Sequence, residues 1–223
     1  MYKKFIGVIL AKKNSQRLRN KNLVKIGNKH LVEYPMKSFN KSKYISRFIL
    51  SSDSKQILSL GEKYKKCFPQ HRPKKYSSAK SKSIDSLIYI IEQNNLSDDT
   101  YLILLEPTSP LTTYKDINRS IELLRKKKKL ALVSVGKCKS AHPQYCFEIS
   151  PKKHVRKNIK LPLRQKIKEY FYLDGSIYIS RISELKKFKT FLHKKTFCYE
   201  FNKTKNFEID DLEDLKIIKK LFN

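Results

Sequence analysis

Between Ala11 and Asn22 the chain carries five cations, Lys12, Lys13, Arg17, Arg19 and Lys21, separated by small hydrogen-bonding side chains. Residues of these types support capture of a polyphosphate. Backbone N–H groups in a turn form an anion-binding concavity, and ammonium and guanidinium groups supply countercharge. A solvated basic loop in a Lys-rich chain has the same composition, so the loop alone leaves both readings open. Farther on, Arg72 lies in a polar stretch, and Glu106 ends an apolar run just before Pro107-Thr108-Ser109-Pro110. An ionised carboxylate there accepts hydrogen bonds and donates none. Glu208, Asp210 and Asp211 stand before a final helical pattern. In an extended segment 208 and 210 project to one side, although acids at that place also suit the positive end of a helix dipole.

These groups need strands and helices to place them. The run Phe5–Leu10 reads as a buried strand that opens into the cationic loop, the usual nucleotide position in an α/β chain. A helix is expected over 30–39, with Pro35 in its first turn or kinking it. A second strand is expected over 47–52, with Asp53 or Ser54 capping a helix that turns Ile57, Leu60 and Tyr64 to one face. Residues 66–82, including Arg72-Pro73, read as one long binding loop. A helix with Ile84, Leu87, Ile88 and Ile91 inward leads to the strand Tyr101–Leu105, and one with Ile117, Ile121 and Leu124 inward leads to a strand over 130–135. This alternation predicts a doubly wound, mostly parallel α/β sheet in a single domain covering 1–223. Residues 137–169 break the rhythm and read as an excursion that packs on a partner. Strands over 171–180 and 196–201 follow, then a helix with Leu212, Leu215, Ile218 and Leu221 on one face.

The 223 residues have a formal net charge of +30, from 50 Lys+Arg against 20 Asp+Glu. That sign attracts polyanions and speeds capture of anionic substrates. Yet the cations are spread through every segment, and the run from Arg125 to Lys129 falls at a helix end, where cations suit the dipole. The aromatics from Tyr170 to Tyr178 alternate as in a core strand, so no specific nucleic-acid partner is expected. No apolar run approaches the roughly 20 residues that span a membrane, and no secretory segment follows Met1, so no membrane insertion is expected. Cys67, Cys138, Cys146 and Cys198 lack CxxC spacing, which argues against a zinc site or a disulfide framework and for a reduced, cytoplasmic protein.

The loop resembles the signature Ala-Arg-x-Gly-Ser-Lys-Arg-x-x-x-Lys-Asn of the acylneuraminate cytidylyltransferases, the CMP-sialic acid synthetases and their relatives for pseudaminic and legionaminic acids. Ala11, Ser15, Arg17, Lys21 and Asn22 are retained. The similarity continues in order through Arg72-Pro73, Ser83-Ile84-Asp85, the segment from Leu104 to Leu111, His142-Pro143, Arg164-Gln165, the segment from Asp174 to Tyr178, and Glu208-Ile209-Asp210. Each match is weak alone; together, in register, they are specific. The resemblance implies a nucleotidyltransferase (Rossmann-like) fold with a dimerisation excursion. It implies that CTP and a nine-carbon 2-keto sugar acid give the CMP-sugar and pyrophosphate for surface glycan biosynthesis. The sugar's anomeric hydroxyl would attack the α-phosphorus, a transfer that needs mainly positioning and charge neutralisation.

By the same resemblance, Ala11, Lys12, Ser15, Lys21 and Asn22 hold the triphosphate, Arg72 and Ser83 frame the nucleoside, and Glu208 and Asp210 hold Mg²⁺. Lys21 and Asp210 are the implied catalytic residues. Glu106, Arg164 and Tyr178 are the implied sugar contacts, and a homodimer is implied. Arg164 also reads as one more surface cation, Glu106 as a charge partner of a nearby Lys, and His142 as a loop histidine outside catalysis. Departures fall at Lys12, Asn14, Glu106, Asp174 and Glu208, where the resembled family has Arg, Gly, Gln, Asn and Asp, and Tyr172-Leu173 replaces a basic pair. Charge sign is kept at the phosphate and metal positions but not at the sugar-facing ones. Rival readings are a nucleotidyltransferase with another nucleotide or sugar acid, and a non-catalytic polyanion-binding protein on this fold.

Overall fold

Strand β1 (Phe5–Leu10) is apolar because both of its faces are covered, as parallel strands require. The computed structural model describes residues 4–14, 18–78, 80–139, 141–157, 160, 162–200 and 207–222; Ser15 and Arg17 lie outside them, as does the side chain of Arg164. In chain order follow a two-strand hairpin of β2 (Lys25–Ile26) and β3 (Lys29–His30), helix α1 (Glu33–Lys41), β4 (Ile45–Ser52), α2 (Lys55–Gly61), β5 (Cys67–His71), α3 (Ser83–Gln93) and β6 (Tyr101–Leu105). The second half holds α4 (Tyr114–Lys126), β7 (Ala131–Lys137), β8 (Phe171–Arg181), α5 (Ile182–Phe188), β9 (Phe197–Glu200) and α6 (Leu212–Phe222).

Seven strands form one sheet in the order β5-β4-β1-β6-β8-β7-β9. β1 pairs in parallel with β4 and β6, so Val8 lies opposite both Ile49 and Leu104. β8 alone runs against its neighbours β6 and β7, and β9 closes the far edge parallel to β7. The mostly parallel expectation holds. The single-loop reading of 66–82 does not, because Cys67–His71 pairs with β4 as an edge strand. Its Pro69 is tolerated there because an edge strand leaves one side of its backbone unpaired. The first helix likewise starts at Glu33 rather than 30, with Pro35 in its first turn.

Helices cover both faces. Met36 and Phe39 of α1, Ile57 of α2, and Ile117, Ile121 and Leu124 of α4 bury one face of the sheet; Leu87, Ile90 and Ile91 of α3 with Ile182 and Leu185 of α5 bury the other. Gly7 permits the closest approach, since a Cβ there would lie 2.8 Å from the Phe39 ring. A third, smaller cluster joins Leu18, Ile26 and Leu31 to Ile209, Leu215 and Ile218. It docks α6 on the β2–β3 hairpin and so brings the acidic segment 208–210 to the first loop.

Residues 138–170 leave the sheet. Their described part contains short 3-10 turns at Pro143–Tyr145 and Arg164–Lys166 and an isolated antiparallel bridge of Ile149 with Val155. The aromatics that enter β8 do not alternate as core: Phe171, Tyr172 and Leu173 are 47%, 46% and 42% exposed, so this end of the strand is open on both faces. Among the described residues no helix is long and apolar enough to cross a membrane.

Candidate active site

The C-terminal ends of β1, β4, β5 and β6 lie along one edge of the sheet, where open α/β folds bind ligands. The loop after β1 is pinned there at several points. Ala11, fully buried, donates its N–H to Ser51 O at 3.0 Å, and Lys13 N–H reaches Asp53 Oδ1 at 2.7 Å. Asn22 is buried, with Nδ2 donating to Lys12 O at 2.8 Å while its carbonyl accepts Val32 N–H at 3.1 Å. The Asn22 side chain therefore ties the two ends of the loop together. Asn20 adopts a left-handed conformation (φ 53°), which turns the chain into the 3-10 turn Lys21–Leu23.

From that turn Lys21 reaches the far end of the chain. Its Nζ donates to Ile209 O at 3.1 Å and lies 3.4 Å from Asp210 Oδ1. The two residues proposed for charge neutralisation and metal binding thus meet across 189 positions of sequence.

Arg72 continues the β5 ladder through its N–H to Ser52 O at 2.8 Å, and its side chain is 4% exposed. Burial lowers the guanidinium pKa while the nearby Asp53 and Glu106 carboxylates raise it. Its Nε and Nη2 find no acceptor among the described residues, so a buried cation holds two unsatisfied donors. Ser83 is the exposed first residue of α3.

Four carboxylates gather opposite these cations. Burial and the neighbouring Glu208 push Glu106 up to about 7, against the pull of Lys21 and Arg72. Glu208 is raised by burial and by Asp210 and Asp174, a shift moderated by a hydrogen bond from Thr108. Tyr178, on β8 opposite Leu104, has its phenol pushed up by burial and by Glu106, Glu208 and Asp174, so it belongs to the same group. Asp174 is 3% exposed; its Oδ1 accepts Ser134 Oγ–H and Ser176 N–H, while Oδ2 has no partner.

Sequence reasoning singled out Lys12, Lys21, Asn22, Arg72, Glu106, Tyr178, Glu208 and Asp210, and the structure gathers them along this edge. It passed over three holding elements. Asp53 was visible only as a helix cap, whereas Ser54 takes that role through Ile57 N–H at 3.4 Å and Asp53 anchors the loop after β1. Thr108 and Ser109 bond to Glu208 and to Gly175 O at 3.0 and 3.1 Å. Their signal was their place after a strand end, within the segment from Leu104 to Leu111 that carries the resemblance, though the resemblance gives a role to neither. His142, read as an ordinary loop residue, is buried, with Nε2 2.8 Å from Lys168 O and Nδ1 accepting Gln144 N–H, and so clasps the base of the excursion.

Comparison with known proteins finds relatives along nearly the whole chain. A Legionella pneumophila CMP-N,N'-diacetyllegionaminic acid synthase is 27% identical over 98% of this chain and 96% of its own. A Helicobacter pylori protein named pseudaminic acid cytidylyltransferase and UDP-2,4-diacetamido-2,4,6-trideoxy-beta-L-altropyranose hydrolase is 24% identical over 88% of this chain, which spans 38% of that longer protein. A solved CMP:2-keto-3-deoxy-manno-octonic acid synthetase complexed with CTP shares the fold at a TM-score of 0.69 and 15% identity, covering 98% of both chains. A single family model, described as cytidylyltransferase, matches residues 6–223. That match spans nearly the whole chain, and the chain belongs to the cytidylyltransferase family.

Proposed function

We propose that the protein transfers the cytidylyl group of CTP to a nine-carbon 2-keto sugar acid, releasing pyrophosphate. The observation that carries this reading is the meeting of Lys21 with Ile209 O and Asp210. It sets a loop cation against one acid, Asp210, with Glu208 close enough to feel its charge, which a phosphoryl-type transfer needs and a passive polyanion binder does not. The names of the relatives support a sialic acid-like substrate.

In this reading the pinned loop offers N–H groups and the Lys12 and Lys21 ammoniums to the triphosphate. Lys21 exchanges its contact with Asp210 for the oxygens of the reacting phosphate, where charge develops. The two unsatisfied Arg72 donors hold oxygens of the nucleotide. The acid pair fits Mg²⁺, a hard cation usually held by one or two carboxylates together with substrate phosphates. Burial first, and then the nearby Asp210 and Asp174 carboxylates, raise Glu208, and a bound cation would offset both. When bound, Mg²⁺ supplies Lewis-acid stabilisation of phosphate charge.

Glu106 and Tyr178 face the sugar side. With its pKa raised to about 7, Glu106 is partly protonated near neutrality and can both donate and accept a hydrogen bond. We assign it to reading polar groups on the sugar acid, so that the preference moves away from plain N-acetylneuraminic acid. The excursion is assigned to a homodimer interface, on the strength of the exposed Phe147, Ile149, Val155 and Leu163, and Arg164 on it to the carboxylate of the sugar acid. CTP as substrate and cysteines that are all free suit the cytoplasm.

The test is pyrophosphate release from CTP with Mg²⁺ and a panel of 2-keto sugar acids. Release with one or more nine-carbon acids is expected. Release with none of them, or with another nucleotide in preference to CTP, overturns the assignment.

A further inference from the structure

We propose that Thr108 is a positioning residue that aims the Glu208 carboxylate into the site, working with a seat left open by Gly175. The inference rests on reading Glu208 and Asp210 as metal ligands.

Thr108 grips the acidic segment twice. Its Oγ1–H donates to Glu208 Oε1 at 3.0 Å, and its carbonyl accepts Ile209 N–H at 2.9 Å. One contact fixes the side chain of 208 and the other the backbone just after it, so the direction of the carboxylate is set as well as its place. On the other side, Gly175 has φ +69°, a conformation that favours glycine. A Cβ at 175 would lie 2.9 Å from both Cδ and Oε2 of Glu208, so the carboxylate rests directly on bare backbone. Ser109, next to Thr108, holds that backbone by donating to Gly175 O at 3.1 Å. The Thr108-Ser109 pair therefore clamps the acid with one hydroxyl and its seat with the other.

This chain needs such a clamp. Glu208 has one more rotatable bond than an aspartate would have, hence more side-chain entropy to lose when ordered. Its neighbours Asp210 and Asp174 repel it. Glu208 is partly exposed, so an untethered carboxylate would swing toward water. Thr108 is 8% exposed and its hydroxyl is fully committed, so the tether is built into the packed loop rather than made by a mobile surface group.

The experiment measures binding of Mn²⁺, a paramagnetic stand-in for Mg²⁺, by water-proton relaxation on wild type, Thr108→Val, Thr108→Ser, Gly175→Ala and Glu208→Gln. Outer-shell partners of metal ligands typically contribute about 10- to 100-fold in affinity, and Thr108→Val should lose that much. Thr108→Ser, which keeps the hydroxyl, should restore most of it. Gly175→Ala should weaken binding in the same direction by occupying the seat. Should the Val variant fail to fold, Thr108→Ala replaces it, leaving a small void and no clash. The KM for CTP at saturating Mg²⁺ should stay near wild type, which a general loss of structure would not allow. If wild type shows no Mn²⁺ site that Glu208→Gln abolishes, the metal reading fails and this inference with it. If Glu208→Gln abolishes the site while the Thr108 variants lacking a hydroxyl bind as wild type does, only the role of Thr108 falls.

Discussion

Strands β1 and β8 lie two places apart in one sheet and meet solvent in opposite ways. Phe5, Ile6, Val8 and Ile9 of β1 are at most 2% exposed, whereas three successive residues at the start of β8 are more than 40% exposed. Helices on both faces hold the first strand, and the loop it carries is pinned by Ser51, Asp53 and Asn22. The open end of β8 pairs with β7 through Val135, Gly136 and Lys137, but among the described residues no apolar cluster covers its faces, and the excursion exposes more apolar residues of its own. The difference divides the proposed labour: the groups assigned to the nucleotide are fixed by the chain's own core, while the exposed strand is the surface assigned above to a second copy of the chain.

The largest effect should come from the closed half. Lys21→Ala removes a charge-assisted contact worth roughly 1.5–3 kcal/mol, so turnover should fall at least tenfold. Melting should fall by less than turnover, because Lys21, although only 13% exposed and bonded to Ile209 O, belongs to none of the apolar clusters. Near-normal turnover would remove the loop from catalysis.

Breaking the open half comes next. Light scattering should give about twice the 26.4 kDa of one chain for wild type, and a single chain mass for Phe171→Asp with Leu173→Asp. A wild type that is monomeric and active would mean the exposed strand serves something other than self-association.

A smaller effect sits at the junction of the halves. In the protein without nucleotide or metal, Glu106 has its pKa raised from 4.5 to about 7, so the folded state holds a proton that the unfolded chain has lost. Stability should therefore fall as pH rises from about 4.5 through 7, because in that window the folded state binds more protons. Glu106→Gln cancels this loss and should melt up to roughly 7–14 °C above wild type at pH 8, with the gap closing at pH 4. Its kcat/KM ratio among sugar acids should shift while the KM for CTP stays constant. An unchanged ratio would make Glu106 only a charge partner.

The mildest probe is chemical. Burial pushes the Cys67 thiol up to about 12 where it packs near Gly61 and β4, whereas Cys146 is exposed. Iodoacetamide at pH 8 should label Cys146 long before Cys67, since only the thiolate reacts. Equal labelling would mean that the closed half is looser than its packing indicates.

These tests follow the line along which the sequence could be read. β1, β6 and the cationic loop were legible because a strand buried on both faces leaves an unbroken apolar run. β5 was not, since Cys-Phe-Pro-Gln-His is an edge strand, half-exposed and interrupted by Pro69. The first turns of β8 were misread for a related reason. Alternating aromatics signal a strand, but what covers that strand is a property of its neighbours. The meeting of Lys21 with Asp210 was hidden because it depends on α6 docking against a hairpin of two-residue strands, whose pattern is too short to register.

The placement of β8 also bears on how the chain reaches this state. It enters between β6 and β7, both of which precede it in sequence, and 33 residues separate the end of β7 from its start. The sheet cannot zip in chain order; β6 and β7 must wait, each with an unpaired edge, until a later segment slides between them. Long-range insertion of this kind is slow, and open strand edges are templates for association with other chains. Refolding should therefore slow at the insertion of β8, and yield should fall with protein concentration during that pause, most steeply at high temperature.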